Sequence, residues 1–416
     1  MQSVVSPGAL EGIRVLEIAG AAGQYCGKMF AGLGADVILV EPPGGAGIRN
    51  QAPYVGGLEA GDREAVRSLS FAYFNCGKRG ITLSLRDREG QALFHRLAAG
   101  ADVVIDSNRP GALAEMACGF EQLLALNPAL VMTSITPFGQ DGPYSAYEAD
   151  DLVCLAAGGF LYLGGYPDSE PIGAYGDQAY LGGSMFGAVA TMLALTQAEA
   201  GGQGEHVDVS MQECMVLAME NAVQFYDLEG MVRKRSAGIQ RFAGTGVYEC
   251  MDGHIYMMAG GIGANRFWGR TIEWLVAEGV PDVQRLYGEQ WNETAYLQSD
   301  EAKRIFMEVF GNWAKTKTKG YLYREGQNRH VPAAAINTVE DLVASPQLNA
   351  RGHFVPLAQP GWPKPGLMPG APYQLARTPW AIASPAPLPG QHNAELYGEL
   401  GLSSDDRARL AGRGVL

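Results

Sequence analysis

Asp177 stands directly after Gly176 and before an apolar, small-residue run, in AYGDQAYLGGSMFGAVATMLAL. A carboxylate at that place can do two things. It can cap a helix, accepting backbone N–H groups of the first turn and complementing the helix dipole; the local sequence favours this use. It can also stay exposed on one side, ionised, and attack a carbonyl carbon. Gly182, Gly183 and Gly187 follow and admit close approach by another backbone. A second glycine-rich segment, Ala259-Gly260-Gly261-Ile262-Gly263-Ala264, is either a plain turn or a flexible cover that keeps water from a reactive intermediate.

Cations that could grip a phosphorylated ligand follow turns in the first half of the chain. They are Arg49 in GGAGIRN, Lys78 and Arg79 in FNCGKRG, and Arg109 in SNRPGAL. Arg forks and Lys point charges suit phosphate oxygens, and scattered surface charge is the competing account. A dinucleotide site is disfavoured. The glycines of the first turn fall at 20, 23 and 27, not as GxGxxG, and Glu41, at the distance of a ribose-binding acid, is followed at once by Pro42 and Pro43. The six histidines lack metal-ligand spacing, and neither GxSxG nor a P-loop occurs. The six cysteines form no CxxC pair, which predicts reduced, mostly buried thiols.

The chain that must position these groups has 416 residues, enough for two domains. Its 31 Lys+Arg against 44 Asp+Glu leave a net charge of −13, which argues against a nucleic-acid backbone binder. The start shows no basic region with a long apolar core, and no uninterrupted apolar run reaches a membrane-spanning ~18 residues. The expectation is a cytoplasmic protein. Ile13–Ile18, DVILVEPP, Ile81–Leu85, Val103–Ile105 and Leu130–Ile135 read as buried strands alternating with helices, the pattern of a mostly parallel, doubly wound sheet. GTGVYECMDGHIYMMAGG reads as a hairpin with Asp252-Gly253 as a type I′ turn. The proline-rich stretch after Thr338 is expected to run extended over another surface. These features divide the chain into a large Rossmann-like domain over 1–227, a small α+β domain over 228–335, and a return segment with tail over 336–416 that completes the large domain.

Taken together the segments resemble the class III CoA-transferases, the group containing formyl-CoA transferase and carnitine CoA-transferase. The resemblance rests on LEGIRVLEI, GLGADVILVEPPGG, FNCGKRGITLSL, ADVVIDSNRPGAL, LNPALVMTSITPFGQDGPY, GDQAYLGGSMFG, GEHVDVSMQE and PLPGQHNAELYGELGLS, in the family's order over about 400 residues. It implies a Rossmann-like large domain built from both chain ends, a smaller inserted domain, and an interlocked homodimer. It implies an enzyme that moves CoA from an acyl-CoA to a carboxylic acid, with CoA as substrate and no tightly bound cofactor. Asp177 falls on the family's nucleophilic aspartate. Arg49 and Lys78 match CoA-contacting positions, and Asn75, Arg79 and Arg109 are further candidate CoA contacts; Gly260 and Gly261 fall where the family has its glycine loop, with Gln140 a candidate substrate residue. Ile262 interrupts the family's glycine run, Ser107 replaces a common Asn, and Glu115 replaces an Arg used for CoA by some members. Acyl-CoA racemases of the same fold carry a His before an Asp-Ile-Asn stretch where this chain reads AYEADDLV. A non-catalytic subunit needing a related partner chain is the other alternative.

Overall fold

The computed structural model describes residues 8–56, 66–238, 240–260 and 267–416. It divides into two compact units. One comprises Met1–Leu163, Ile172–Arg233 and Arg351–Leu416, the other Gly164–Pro171 and Lys234–Ala350.

The first unit is built on six strands: β1 (Arg14–Ile18), β2 (Asp36–Glu41), β3 (Arg79–Thr82), β4 (Val103–Asp106), β5 (Val131–Thr136) and β6 (His206–Ser210). They form one parallel sheet in the order β3-β2-β1-β4-β5-β6. Successive side chains face opposite layers. Val15, Val37, Val103, Ile105, Val131 and Ile135 join a core with the helices Gln24–Gly32 and Gln178–Gly201. Leu16, Ile38, Val104 and Met132 join another with helix Arg88–Ala98 and the C-terminal helices. Burial on both faces explains why the strands read as continuous apolar runs. The Rossmann-like α/β fold is the one the sequence leads one to expect.

Helix Gln178–Gly201 has 24 residues and, by length and composition alone, suffices to cross a membrane. Here it lies on β5 instead. A Cβ at Gly187 would sit 2.9 Å from Ile135 Cδ1, and one at Gly183 would sit 2.8 Å from Met211 Cγ. The glycines are what let the helix axis come so near the strand.

The proline-rich return is only partly extended. Phe354–Leu357 and Gly366–Pro369 pair as an antiparallel hairpin. The tail then docks on β3: Gly80 N–H donates to His392 Nδ1, Thr82 N–H to Asn393 Oδ1, and the Tyr397 hydroxyl to the Thr82 carbonyl at 2.7 Å.

In the second unit, β7 (Thr245–Cys250), β8 (Gly253–Met258) and β9 (Ala333–Ile336) form an antiparallel sheet over a core including Tyr248, Trp274, Trp291, Phe306 and Phe310. The hairpin turn is displaced by one residue from the expected Asp252-Gly253. Cys250 pairs with Gly253, so Met251 and Asp252 form the turn, and the left-handed φ of +139° falls on Gly253 alone. The register is set by Tyr248, Cys250, Ile255 and Met257, which must all face the core.

All six cysteines are buried and unpaired. Lys28 is also buried. Its Nζ has no hydrogen-bond partner among the described residues and lies 3.0 Å from the Tyr73 ring centre. Burial lowers its pKa from 10.5 to about 7. A base depressed in the fold binds fewer protons folded than unfolded between those values, so stability from this group rises with pH and is lost as pH falls. Lys28→Met is therefore expected to gain stability over the wild type as pH falls from about 10 to about 7, read by urea unfolding across that window.

Candidate active site

A parallel sheet in this order reverses direction between β1 and β4, and ligands of such sheets sit outside the strands' C-terminal ends at that reversal. A cleft of about 510 Å³ lies there. Ala21 and Ala22 line it from the turn after β1, Ser107 to Pro110 from the turn after β4, and Ile135 and Pro137 from the end of β5. Residues 145–149, Tyr180 and Met211 complete the wall.

The turn after β4 is shaped from within. Asp106, buried, accepts hydrogen bonds from the Asn108 backbone N–H at 3.0 Å and the Asn108 side-chain amide at 2.6 Å. Its carboxyl is raised above the ordinary range by burial, against those bonds. Ser107 packs on the first turn so closely that a Cβ at Gly20 would meet its Oγ at 2.1 Å. That Oγ is buried without a hydrogen-bond partner among the described residues. Arg109 stands exposed at the cleft, paired with Glu115. Tyr147, also on the cleft wall, stacks on Tyr144 at 5.0 Å between ring centres and is exposed.

A small hollow adjoins the cleft, the two sharing Ala21 and Tyr180. Its wall contains Asp177, with Gln24, Tyr25, Gln51, Phe74, Leu181 and Ser184 around it. Asp177 occupies the N-cap position of the long helix, at φ −88° and ψ 73°, yet its side chain makes no cap hydrogen bond and is exposed. The capping is done by Asp151. Helix Asp151–Ala157 has its own cap in Asp150, which takes the Val153 N–H. Asp151 is thus free to reach the other helix, where its Oδ1 accepts the N–H groups of Ala179 at 2.7 Å and Tyr180 at 3.0 Å. Burial raises the Asp151 carboxyl above the usual aspartate range; those two bonds oppose the rise, and the nearby charges of Asp177 and Asp150 add to it.

The other expected contacts lie elsewhere. Lys78 is wholly buried, its Nζ bonded to Glu17, to the Gln24 carbonyl and to Asn75 Oδ1. Asn75, also buried, donates to Gln24 Oε1 at 2.8 Å. The reading of Lys78 as a cation offered to a ligand is corrected accordingly: its partners are inside the fold. Burial lowers the Lys78 pKa and raises that of Glu17 to about 7, in spite of their mutual attraction. Arg49 grips Glu41 with two nitrogens at 2.7 and 2.5 Å and covers the Phe71 ring. Glu41, the acid a dinucleotide would need, is committed there. Arg79 spans Asp36, Glu395 and Glu399, tying β2 and β3 to the tail. Gln140 donates its backbone N–H to Asp208 and lines neither hollow. Gly260 lies in the second unit, its carbonyl accepting the Thr245 hydroxyl; Gly261 lies outside the described residues. Of the cations singled out in the sequence, Arg109 alone lines the cleft. Asp151 was missed, since its partners are 28 and 29 residues away in the chain; the only sequence signal was a second aspartate at a helix start that needs one.

Residues 10–393 match the sequence model of CoA-transferase family III. The chain belongs to that family. A succinyl-CoA:(R)-benzylsuccinate CoA-transferase subunit from Thauera aromatica is 37% identical over 393 residues, 93% of each chain. A succinyl-CoA–D-citramalate CoA-transferase from Chloroflexus aurantiacus is 31% identical over 423 residues, 100% of both. Among solved structures, a CAIB/BAIF family protein from Brucella suis superposes with a TM-score of 0.80 at 30% identity, covering 95% of this chain and 100% of that one. The molecule is thus a family III CoA-transferase, an enzyme whose substrates are CoA thioesters and carboxylic acids.

Proposed function

We propose that this CoA-transferase works through Asp177 as a covalent nucleophile. The observation that supports this is the free, exposed carboxylate at the head of a helix whose capping N–H groups are already taken. An Asp177 oxygen bonds to the thioester carbon of the donor, the C–S bond breaks, and CoA thiolate departs, leaving an aspartyl-acyl anhydride. The thiolate then attacks the aspartyl carbonyl and expels the first acid as carboxylate, so that CoA is held as an aspartyl thioester. The incoming carboxylate attacks that thioester and forms a second anhydride with release of thiolate. Thiolate attack on its acyl carbon yields the new acyl-CoA and regenerates Asp177. No proton or electron is gained or lost overall, and the activation of the thioester survives only if water is kept out.

The cleft takes the nucleotide end of CoA. Tyr147 offers a flat face for a base, and Arg109 a cation for phosphate. Arg109→Ala is expected to raise the KM for acyl-CoA about tenfold with kcat little changed, measured by steady-state transfer. Lys78, Asn75 and Arg49 support the turns around the site from within, and Arg79 holds the tail to the sheet. The enzyme is taken to be a cytoplasmic homodimer.

The reading is tested by brief incubation with acyl-CoAs, quenching with hydroxylamine and peptide mass spectrometry. A hydroxamate on Asp177 is expected. Succinyl-CoA is the first donor to try, because the names of both relatives above contain it. The Thauera relative is named as a subunit, which favours a second reading in which a related partner chain is required. Transfer by the purified chain alone decides against it; absence of any label in protein that still binds CoA decides for it.

A further inference from the structure

Two aspartates meet at the head of the long helix, and each could do the other's work. The N-cap position belongs to Asp177, and an aspartate there ordinarily takes the N–H groups of the second and third helical residues. Those residues are Ala179 and Tyr180, and Asp151 holds both. We infer that Asp151 is a positioning residue: by occupying these N–H groups it keeps Asp177 from turning inward to cap its own helix and leaves that carboxylate free to attack. The assignment rests on Asp177 being the nucleophile.

Without Asp151 the two N–H groups are unpaired, and the nearest acceptor by backbone geometry is Asp177 itself. A carboxylate drawn into that cap must be released before each attack. The loss falls on kcat and spares the binding of acyl-CoA, whose cleft is lined by other residues. A merely structural Asp151 would lower stability without slowing the folded enzyme, and its effect would be independent of Asp177.

The experiment compares Asp151→Ala, Asp151→Asn, Asp177→Ala and the Asp151→Ala/Asp177→Ala double variant for Tm, and the first two for kcat and KM with succinyl-CoA. Asp151→Ala is expected to lose about ten- to hundredfold in kcat with KM within about twofold. Asp151→Asn, whose amide oxygen can accept the same N–H groups, should retain more than about a third of wild-type kcat. Asp177→Ala should move the wild-type Tm by less than about 1 °C but lower that of Asp151→Ala by about 2 °C more, because there Asp177 has become the cap. Wild-type kcat in Asp151→Ala, an Asp151→Asn enzyme as slow as Asp151→Ala, or additive Tm losses overturns the assignment. If Asp151→Ala does not fold, Asp151→Leu, which keeps the size and removes the acceptor, takes its place in the kcat and Tm comparisons with the same expected and overturning outcomes. An Asp177→Ala enzyme that still transfers CoA defeats the nucleophile reading instead, whereas the Tm coupling registers the exchange of caps without reference to turnover.

Discussion

Asp177→Ala should lower CoA transfer by at least ~10⁴-fold while leaving the affinity for CoA within a few-fold of wild type. The magnitude follows from the kind of group removed. A nucleophile that forms the covalent intermediate has no substitute when truncated, and what remains is catalysis by binding alone. The affinity should survive because the cleft is lined by the turns after β1 and β4 and by Tyr147. The small side chain also does nothing for the fold, since it forms no cap bond and is exposed. Asp177→Asn separates charge from shape: it keeps the size, removes the attacking anion, and should be as inactive as the alanine variant. Steady-state assays paired with CoA titration calorimetry measure both quantities, and an active Asp177→Ala enzyme ends the covalent proposal.

The second large effect concerns stability. Lys78 and Glu17 are both fully buried and joined at 2.6 Å. Two charges withdrawn from water at that cost are held by each other and by the Gln24 carbonyl and Asn75. Lys78→Ala would leave Glu17 enclosed without its cation, and removal of one member of such a pair typically costs about 3–5 kcal/mol. Lys78→Met combined with Glu17→Gln should recover most of that loss, because no uncompensated charge remains. Urea unfolding of Lys78→Ala, and of Lys78→Met, Glu17→Gln and their combination, measures the loss and the cycle. A loss below about 1 kcal/mol for Lys78→Ala would falsify the account of a buried, mutually dependent pair. Gly27 belongs to the same arrangement: a Cβ there would fall 1.6 Å from Glu17 Oε2.

These two sites mark where the sequence is legible. The sheet was readable because parallel strands buried on both faces are continuous apolar runs, and the five strands so read, β1 to β5, lie within a few residues of their structural bounds. β6 escaped this reading because HVDVS mixes polar and apolar residues at the sheet's edge and is only partly buried. The hairpin turn slipped by one residue because Asp-Gly signals a local preference, whereas the register is fixed by which side chains enter the core. The cations show the same limit. Their type is visible in sequence, but their partners are not: Glu17 lies 61 residues before Lys78, and Glu395 and Glu399 lie more than 300 after Arg79. The local sequence favoured the cap for Asp177, and the structure differs because the acceptor that takes those N–H groups is contributed by another helix.

The glycines of the long helix bear on how such an enzyme can change. A helix seated almost at backbone distance on β5 cannot roll about its axis without driving its own main chain into Ile135. The backbone that carries Asp177 at its head is therefore held at a fixed azimuth by the sheet. Variation that admits a differently shaped acid then has to accumulate in the walls of the hollow beside Asp177, at positions such as Tyr25, Gln51 and Phe74. Directed diversification there, with the helix left untouched, is the economical route to altered acid specificity.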